Sequence, residues 1–297
     1  MQSPRLVLSL FAGIGSLDEG FRRAGFCVVS AGDVAWSSLF DVRNFHAPRG
    51  IFDGVIGGDP CQEHSALANL VRAKGLKPTF PDMTPELERV IGEAKPRWFL
   101  RENVPGAPDV KPDGYAVASF LLDHSTMDSG DGIGHEQMRR RRFWFGVWGQ
   151  ERAPELRAHI DFATFILPEG DGEPKAPQRR KSLCGDRRES FIPGGQAEVD
   201  EIRRGRQKSV TARHTSATMG GESTPGWSGN NSGKPPRYSL DEMADLQGLP
   251  RDLLEHSPMT MVGKRKLIGN AVPLPMAAAL GRAVKSAMRI RAARREP

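Results

Sequence analysis

Cysteine is scarce: the 297-residue chain has three, Cys27, Cys61 and Cys184, far apart and never in a C-x-x-C pair. That number and spacing argue against a disulfide framework and against a zinc site, and no metal is expected. A single reactive thiol remains open. Long apolar runs are also missing. No stretch approaches the ~18 apolar residues that a membrane span needs, so no span is expected. The N-terminal apolar run in MQSPRLVLSLFAG is short and enters a glycine turn, so it does not read as a signal peptide. Internal repeats are absent. Hydrophobic residues make up only 38% of the chain, whereas glycine (33) and proline (23) are plentiful, so part of it should be loop-rich.

Charge is present in mild excess, with 42 Lys+Arg against 36 Asp+Glu and a net charge of +6. This is compatible with a nucleic-acid partner but does not require one. The distribution is more telling, because basic residues cluster at Arg139–Arg142, Arg179–Lys181, Arg187–Arg188 and Arg203–Lys208.

The first 100 residues alternate between short apolar runs and amphipathic stretches. Leu6–Leu10 reads as a buried strand, and a helix follows with Leu17, Phe21 and Ala24 on one face. Ser16 and Glu19 have capping-box spacing at its start, and Gly25 stops it. Strands are expected at Phe26–Ser30, Asp53–Gly58 and Arg97–Leu100. A helix between the last two should take Thr84 as N-cap and Pro85 at its first position, with Leu87, Val90, Ile91 and Ala94 buried. Phe143–Trp148 is a further strand. Such alternation predicts an α/β, parallel, doubly wound sheet. From Pro168 to Pro236 apolar residues thin out, leaving two readings: a disordered linker, or a small loop-built module that grips a polyanion. Helical periodicity returns at Ser239–Leu246 and Pro275–Arg294.

The chemistry gathers at strand ends. The Gly13-Ile14-Gly15 turn lets backbone approach a ligand, and Asp33 stands where an acid can hold ribose hydroxyls. The third glycine of a dinucleotide fingerprint would fall at Asp18, which argues against NAD and for another adenosine cofactor. Gly57-Gly58-Asp59-Pro60-Cys61-Gln62 puts a cysteine on a glycine-rich loop just past a strand, where it could be a nucleophile or an inert filler. Glu102-Asn103-Val104 follows the next strand, and in a parallel sheet it lies on the same edge as Cys61. The run Gln137–Arg142 leads straight into an apolar strand, so some of its arginines should face the cleft.

In sequence order, FAGIG, PCQ, ENV, Q-x-R-x-R and Gly269–Pro273 (GNAVP) resemble the motifs of the DNA cytosine-5 methyltransferase family, at similar spacing. Leu246–Pro250 (LQGLP) looks like that family's next-to-last motif. The likeness covers roughly 1–150 and 237–285 and is that of a compact, phage-type member. It implies a Rossmann-like, S-adenosylmethionine-dependent fold with a second, smaller target-recognition domain. Residues 1–150 plus 262–297 would form the catalytic and cofactor-binding domain, and 151–261 the recognition domain. Cys61 would be the nucleophile and Glu102 the carboxylate that holds cytosine. Gln137, Arg139 and Arg141 would complete the catalytic set, with Arg141 nearest the base. Phe11, Gly13, Ile14, Gly15, Asp33, Asp41, Pro60, Asn270 and Ala271 would bind S-adenosylmethionine.

Three positions depart from the family pattern. Ser9 stands where many members have Asp, Asp59 where they have Pro or an apolar residue, and His64 where they have an aromatic. The short segment between Asp33 and Pro60 suggests a lost helix. The expected partner is double-stranded DNA, contacted by Gln62, Ser65, Arg213, His214 and Thr215, with base reading near Thr211–Met219. So small a lobe implies a short target, about two to four base pairs. The chain is expected to act as a cytoplasmic monomer in a bacterial host, away from membranes. A nuclease partner is not detectable from the sequence. The rival readings are an RNA cytosine-5 methyltransferase, disfavoured by the insert with its basic clusters, a non-enzymatic relative that only binds partners, disfavoured by the presence of Cys61, Glu102 and the arginines, and a nucleotide-dependent oxidoreductase, in which PCQ and ENV would have no role.

Overall fold

A computed structural model describes residues 5–61, 64, 81–124, 137–160, 207–208 and 238–293. Its strands are β1 (Leu6–Leu10), β2 (Cys27–Ser30), β3 (Gly54–Gly57), β4 (Trp98–Asn103), β5 (Tyr115–Asp123), β6 (Gln137–Met138), β7 (Arg140–Trp148) and β8 (Gln207–Lys208). Its helices are α1 (Ser16–Arg23), α2 (Thr84–Ala94), α3 (Leu240–Gln247), α4 (Met261–Asn270) and α5 (Leu274–Ala293). Six strands form one sheet in the order β2-β1-β3-β4-β7-β5.

Alternation along the strands builds a core on each face of this sheet. Val7, Trp98, Leu100, Phe143 and Phe145 face α1 and α5, in a cluster with Phe21, Leu280 and Val284. Leu8, Leu10, Val55, Phe99 and Trp144 face α2, in a cluster with Leu87, Val90 and Ile91. Helix α1 lies close against α5 because Gly20 has no side chain: a Cβ there would sit 2.4 Å from the Ala277 Cβ. This contact brings the C-terminal helix beside the first glycine turn. The run Met261–Arg289 has the length and hydropathy of a span, but 89% of its most apolar 18-residue window is buried within the fold, as in a core helix.

The sheet corrects the all-parallel expectation. Strands β2, β1, β3 and β4 are parallel, but β7 runs antiparallel to β4, and β5 pairs antiparallel with β7. The reversal matters for the site. It carries the start of β7 to the end of β4, with Glu102 opposite Phe143 and Asn103 opposite Arg142. In a parallel strand, the arginines at the start of β7 would lie at the far edge. Strand β5 and helix α4 lie outside the elements read from sequence.

Helix starts also differ from expectation. Gly15, at φ 78°, is the N-cap of α1, with no side-chain cap. Ser16 instead donates its hydroxyl to the Val272 carbonyl at 2.5 Å, so no capping box forms there. Met83 caps α2 and Thr84 is already helical, its hydroxyl donating to Asp59 Oδ2 at 3.0 Å. A capping box does form at α3, between Ser239 and Glu242. Between β2 and β3, two 3-10 turns, Ser38–Phe40 and Val42–Asn44, stand where a helix was expected to be lost. Helices α3 and α4 share a third apolar cluster, which takes in Ile14 from the glycine turn.

Candidate active site

Parallel strands end on one edge, and their loops converge there. The loop after β1 is strained in a way that marks a binding turn: Phe11, a bulky non-glycine residue, has φ 54°, and Gly13 and Gly15 also have positive φ. A Cβ at Gly13 or Gly15 would meet nothing within 4 Å, so this backbone borders open space. Asp33, three residues past β2, accepts from the Gly13 amide at 3.0 Å and from the Ala35 amide at 2.8 Å. The Trp36 indole donates to the Gly13 carbonyl at 2.6 Å. Below the turn, Ser9 donates its hydroxyl to buried Asp18 at 2.5 Å, and burial raises the Asp18 carboxyl.

A cleft runs beside this turn. Phe11, Asp33, Val34, Phe40, Asp41 and Pro60 are among its lining residues. Asp41 faces it with its carboxylate tied to Arg43 through three hydrogen bonds, which hold its pKa down. An apolar wall, an open glycine backbone and an acid beside it fit an adenosyl cofactor. Two expected cofactor residues sit differently. Ile14 packs its side chain into the α3–α4 cluster. Asn270 is the exposed last residue of α4, while the neighbouring Val272 carbonyl holds Ser16.

Past the ends of β3 and β4, Cys61, Glu102, Arg139 and Arg141 lie near enough to influence one another's ionisation. Glu102 is buried, and its Oε1 lies 2.8 Å from Arg141 Nε. A Cβ at Gly58 would approach Glu102 Oε2 to 2.8 Å, so the second glycine of GGDPC makes room for this carboxyl. Burial pushes the Glu102 carboxyl up, against the pull of Arg141 and Arg139. Burial also pushes the Cys61 thiol up, and the Glu102 charge adds to this while Arg141 and Arg139 oppose it. Arg139 is fully buried, and desolvation followed by the like charge of Arg141 lowers its pKa. Gln137 is buried with its Oε1 3.3 Å from His124 Nδ1. His64, bonded through Nε2 to Asp82 at 3.1 Å, donates its backbone amide to the Cys61 carbonyl. The five expected DNA contacts, Gln62, Ser65, Arg213, His214 and Thr215, lie outside the described residues.

A family profile described as C-5 cytosine-specific DNA methylase matches residues 6–147 and 173–286. The chain belongs to this family. Its activity is therefore methyl transfer from S-adenosylmethionine to carbon 5 of cytosine in DNA. Among similar proteins, Type II methyltransferase M.NgoPII of Neisseria gonorrhoeae is 24% identical, over 96% of this chain and 97% of its own. M.FnuDI of Fusobacterium nucleatum is 23% identical, over 95% and 94%. The fold is shared with the Schizosaccharomyces pombe Dnmt2 methyltransferase, at TM-score 0.55 and 13% identity over 96% of this chain and 99% of that one. It is shared equally with the Entamoeba histolytica methyltransferase EhMeth, at TM-score 0.55 and 12% identity over 97% and 99%.

Sequence reasoning missed three supports of this methylase site: Trp36, the Ser9–Asp18 pair and Arg101. Asp18 had left one trace, since it occupies the third-glycine position of a dinucleotide fingerprint.

Proposed function

We propose that the enzyme works through a covalent adduct on Cys61. The observation that carries this reading is a buried carboxyl, Glu102, held by Arg141 and sharing its electrostatic field with the Cys61 thiol. The target cytosine turns out of the duplex into this site. Cys61 loses its proton and its sulfur bonds carbon 6. The carbon 5–carbon 6 electron pair moves toward carbon 5, and Glu102 donates its proton to ring nitrogen 3. Arg141 holds Glu102 and stands nearest the base, with Arg139 buried behind it. S-adenosylmethionine, when held beside Asp33 and the glycine turn, would supply an electrophilic methyl group for carbon 5 and depart as S-adenosylhomocysteine. Water then removes the carbon 5 proton, the double bond re-forms, Cys61 leaves as thiolate and the nitrogen proton returns to Glu102. The test is a trap: DNA carrying 5-fluorocytosine should become covalently attached at Cys61, because fluorine cannot leave as the proton does.

Asp33, Phe11, Gly13, Gly15 and Pro60 would hold the cofactor, with Asp33 accepting ribose hydroxyls. Asp33→Ala should weaken binding of S-adenosylhomocysteine about ten- to a hundred-fold, the range for a lost hydrogen bond to a charged group. Calorimetry would read it, and unchanged affinity would place the ribose elsewhere.

Target recognition would fall to residues 151–261, the rest forming the catalytic domain. Two features support this. The insert carries basic clusters at Arg179–Lys181, Arg187–Arg188 and Arg203–Lys208, and Gln207–Lys208 pairs in parallel with Gln137–Met138, just before Arg139. Its clusters would hold phosphates, and Arg213, His214 and Thr215 would read bases. Deleting 170–235 should abolish methylation at the native sites. Base-resolution mapping that found the same sites still modified would remove this role. The enzyme would act as a cytoplasmic monomer.

A further inference from the structure

Asp59 and Arg101 occupy positions that the proposed chemistry leaves unused. Each is one or two residues from a reactive group: Asp59 precedes Pro60-Cys61, and Arg101 precedes Glu102. Both side chains are completely buried, at 0% exposure. The Arg101 fork grips the Asp59 carboxylate at both oxygens, Nε to Oδ1 at 2.6 Å and Nη2 to Oδ2 at 2.7 Å. Arg101 Nη2 also donates to Thr84 Oγ1 at 2.9 Å, and Thr84 donates to Asp59 Oδ2 at 3.0 Å. Nη1 donates to the Pro108 carbonyl at 2.6 Å, and the guanidinium lies 4.6 Å from the Trp144 ring. Asn103, two residues along β4, donates its amide to the Asp59 carbonyl at 3.1 Å.

The pattern has a direction. Asp59 is on the chain entering the Cys61 segment, and Thr84 is on the chain leaving it. Both are fastened to one side chain on β4. Strand alternation turns Arg101 to the Trp144 face and Glu102 to the other. Replacing a buried ion pair by apolar residues is often neutral or stabilising, so stability alone does not account for this pair. A planar fork fixes distance and angle together, as an apolar contact does not.

We propose that Asp59 and Arg101 are positioning residues that set the register of the Cys61 backbone against Glu102. The inference rests on the reading of Cys61 as nucleophile. The pair touches neither base nor cofactor, so losing it should slow the chemical step and spare binding.

The test compares wild type, Asp59→Asn and the double variant Asp59→Leu/Arg101→Met, which removes both buried charges together. Steady-state methylation uses labelled S-adenosylmethionine and unmethylated DNA of mixed sequence. Adduct formation uses the same DNA with part of its cytosine replaced by 5-fluorocytosine. In the double variant kcat and the adduct rate should fall about 100-fold, the scale of a misplacement near 1 Å. KM for S-adenosylmethionine and Kd for DNA should stay within about three-fold. A folded double variant with kcat within about three-fold of wild type overturns the inference. So does a loss shared equally by kcat and both binding constants, or failure of both variants to fold, since the pair would then be a folding element. If wild type itself forms no adduct, the nucleophile reading falls and takes this inference with it. A normal adduct in both variants overturns the inference alone.

Discussion

Cys61→Ser is expected to lose methyl transfer by roughly 10⁴-fold or more, the scale seen when a covalent nucleophile is removed from other enzymes. The alcohol is a far weaker nucleophile than a thiolate at neutral pH. The fold should survive, because oxygen replaces sulfur without a change of shape and Cys61 anchors no core cluster. Cofactor affinity should also survive, since the glycine turn and Asp33 are untouched. The measurement is tritium transfer to unmethylated DNA, run beside the 5-fluorocytosine trap. Wild type should form a stable adduct and the variant none. A serine variant that methylated DNA at a near-normal rate would remove Cys61 from the mechanism and leave the family assignment standing.

The proposed catalytic pair, Cys61 and Glu102, was picked out by family motifs, and strand ends explain how the two come to one edge in this architecture. Two short apolar runs, each followed by a polar motif, place Cys61 and Glu102 on one edge once the strands are parallel, and β3 and β4 are. The arginines were legible as a motif but not as geometry. Strand direction leaves no local mark, and Phe143–Trp148 reads equally well either way. Yet the chemistry held a clue: arginines that precede a strand reach Glu102 only if that strand is reversed. Strand β5 was hidden for another reason. Its sequence, YAVASFLLD, mixes Ala and Ser into an edge strand that is largely half-exposed, so its apolar signal is weak.

Other features depend on contacts that sequence distance conceals. Ser16 has the spacing of a capping box, but Gly15 turns left-handed ahead of it, and the hydroxyl finds a carbonyl 256 residues away. Arg101 inside an apolar strand looks like a misplaced charge until Asp59, 42 residues earlier, is set beside it. Asp59 had already stood out as a departure from the family pattern. The two oddities explain each other: one buried charge calls for the other.

Glu102→Gln should move two measurements in opposite directions. Methyl transfer should fall by about 10²–10⁴-fold, the usual worth of a positioned acid, because an amide has no proton to give nitrogen 3. Thiol reactivity should rise. In the wild type the Glu102 charge helps hold the Cys61 thiol up, while Arg141 and Arg139 pull it down. Removing the carboxylate leaves those cations unopposed, so Cys61 ionises at lower pH and alkylates faster at a fixed neutral pH. Peptide mapping after iodoacetamide would separate Cys61 from exposed Cys27. The pH profile carries the same signs. In the wild type the active form is the Cys61 thiolate with Glu102 protonated, so the rate should pass through a maximum set by both groups, each with a pKa raised by burial. The glutamine variant should lose the fall on the alkaline side, since nothing at position 102 titrates. Slower methylation with unchanged alkylation would mean that the two groups do not share a field, and that Glu102 acts only by holding the base.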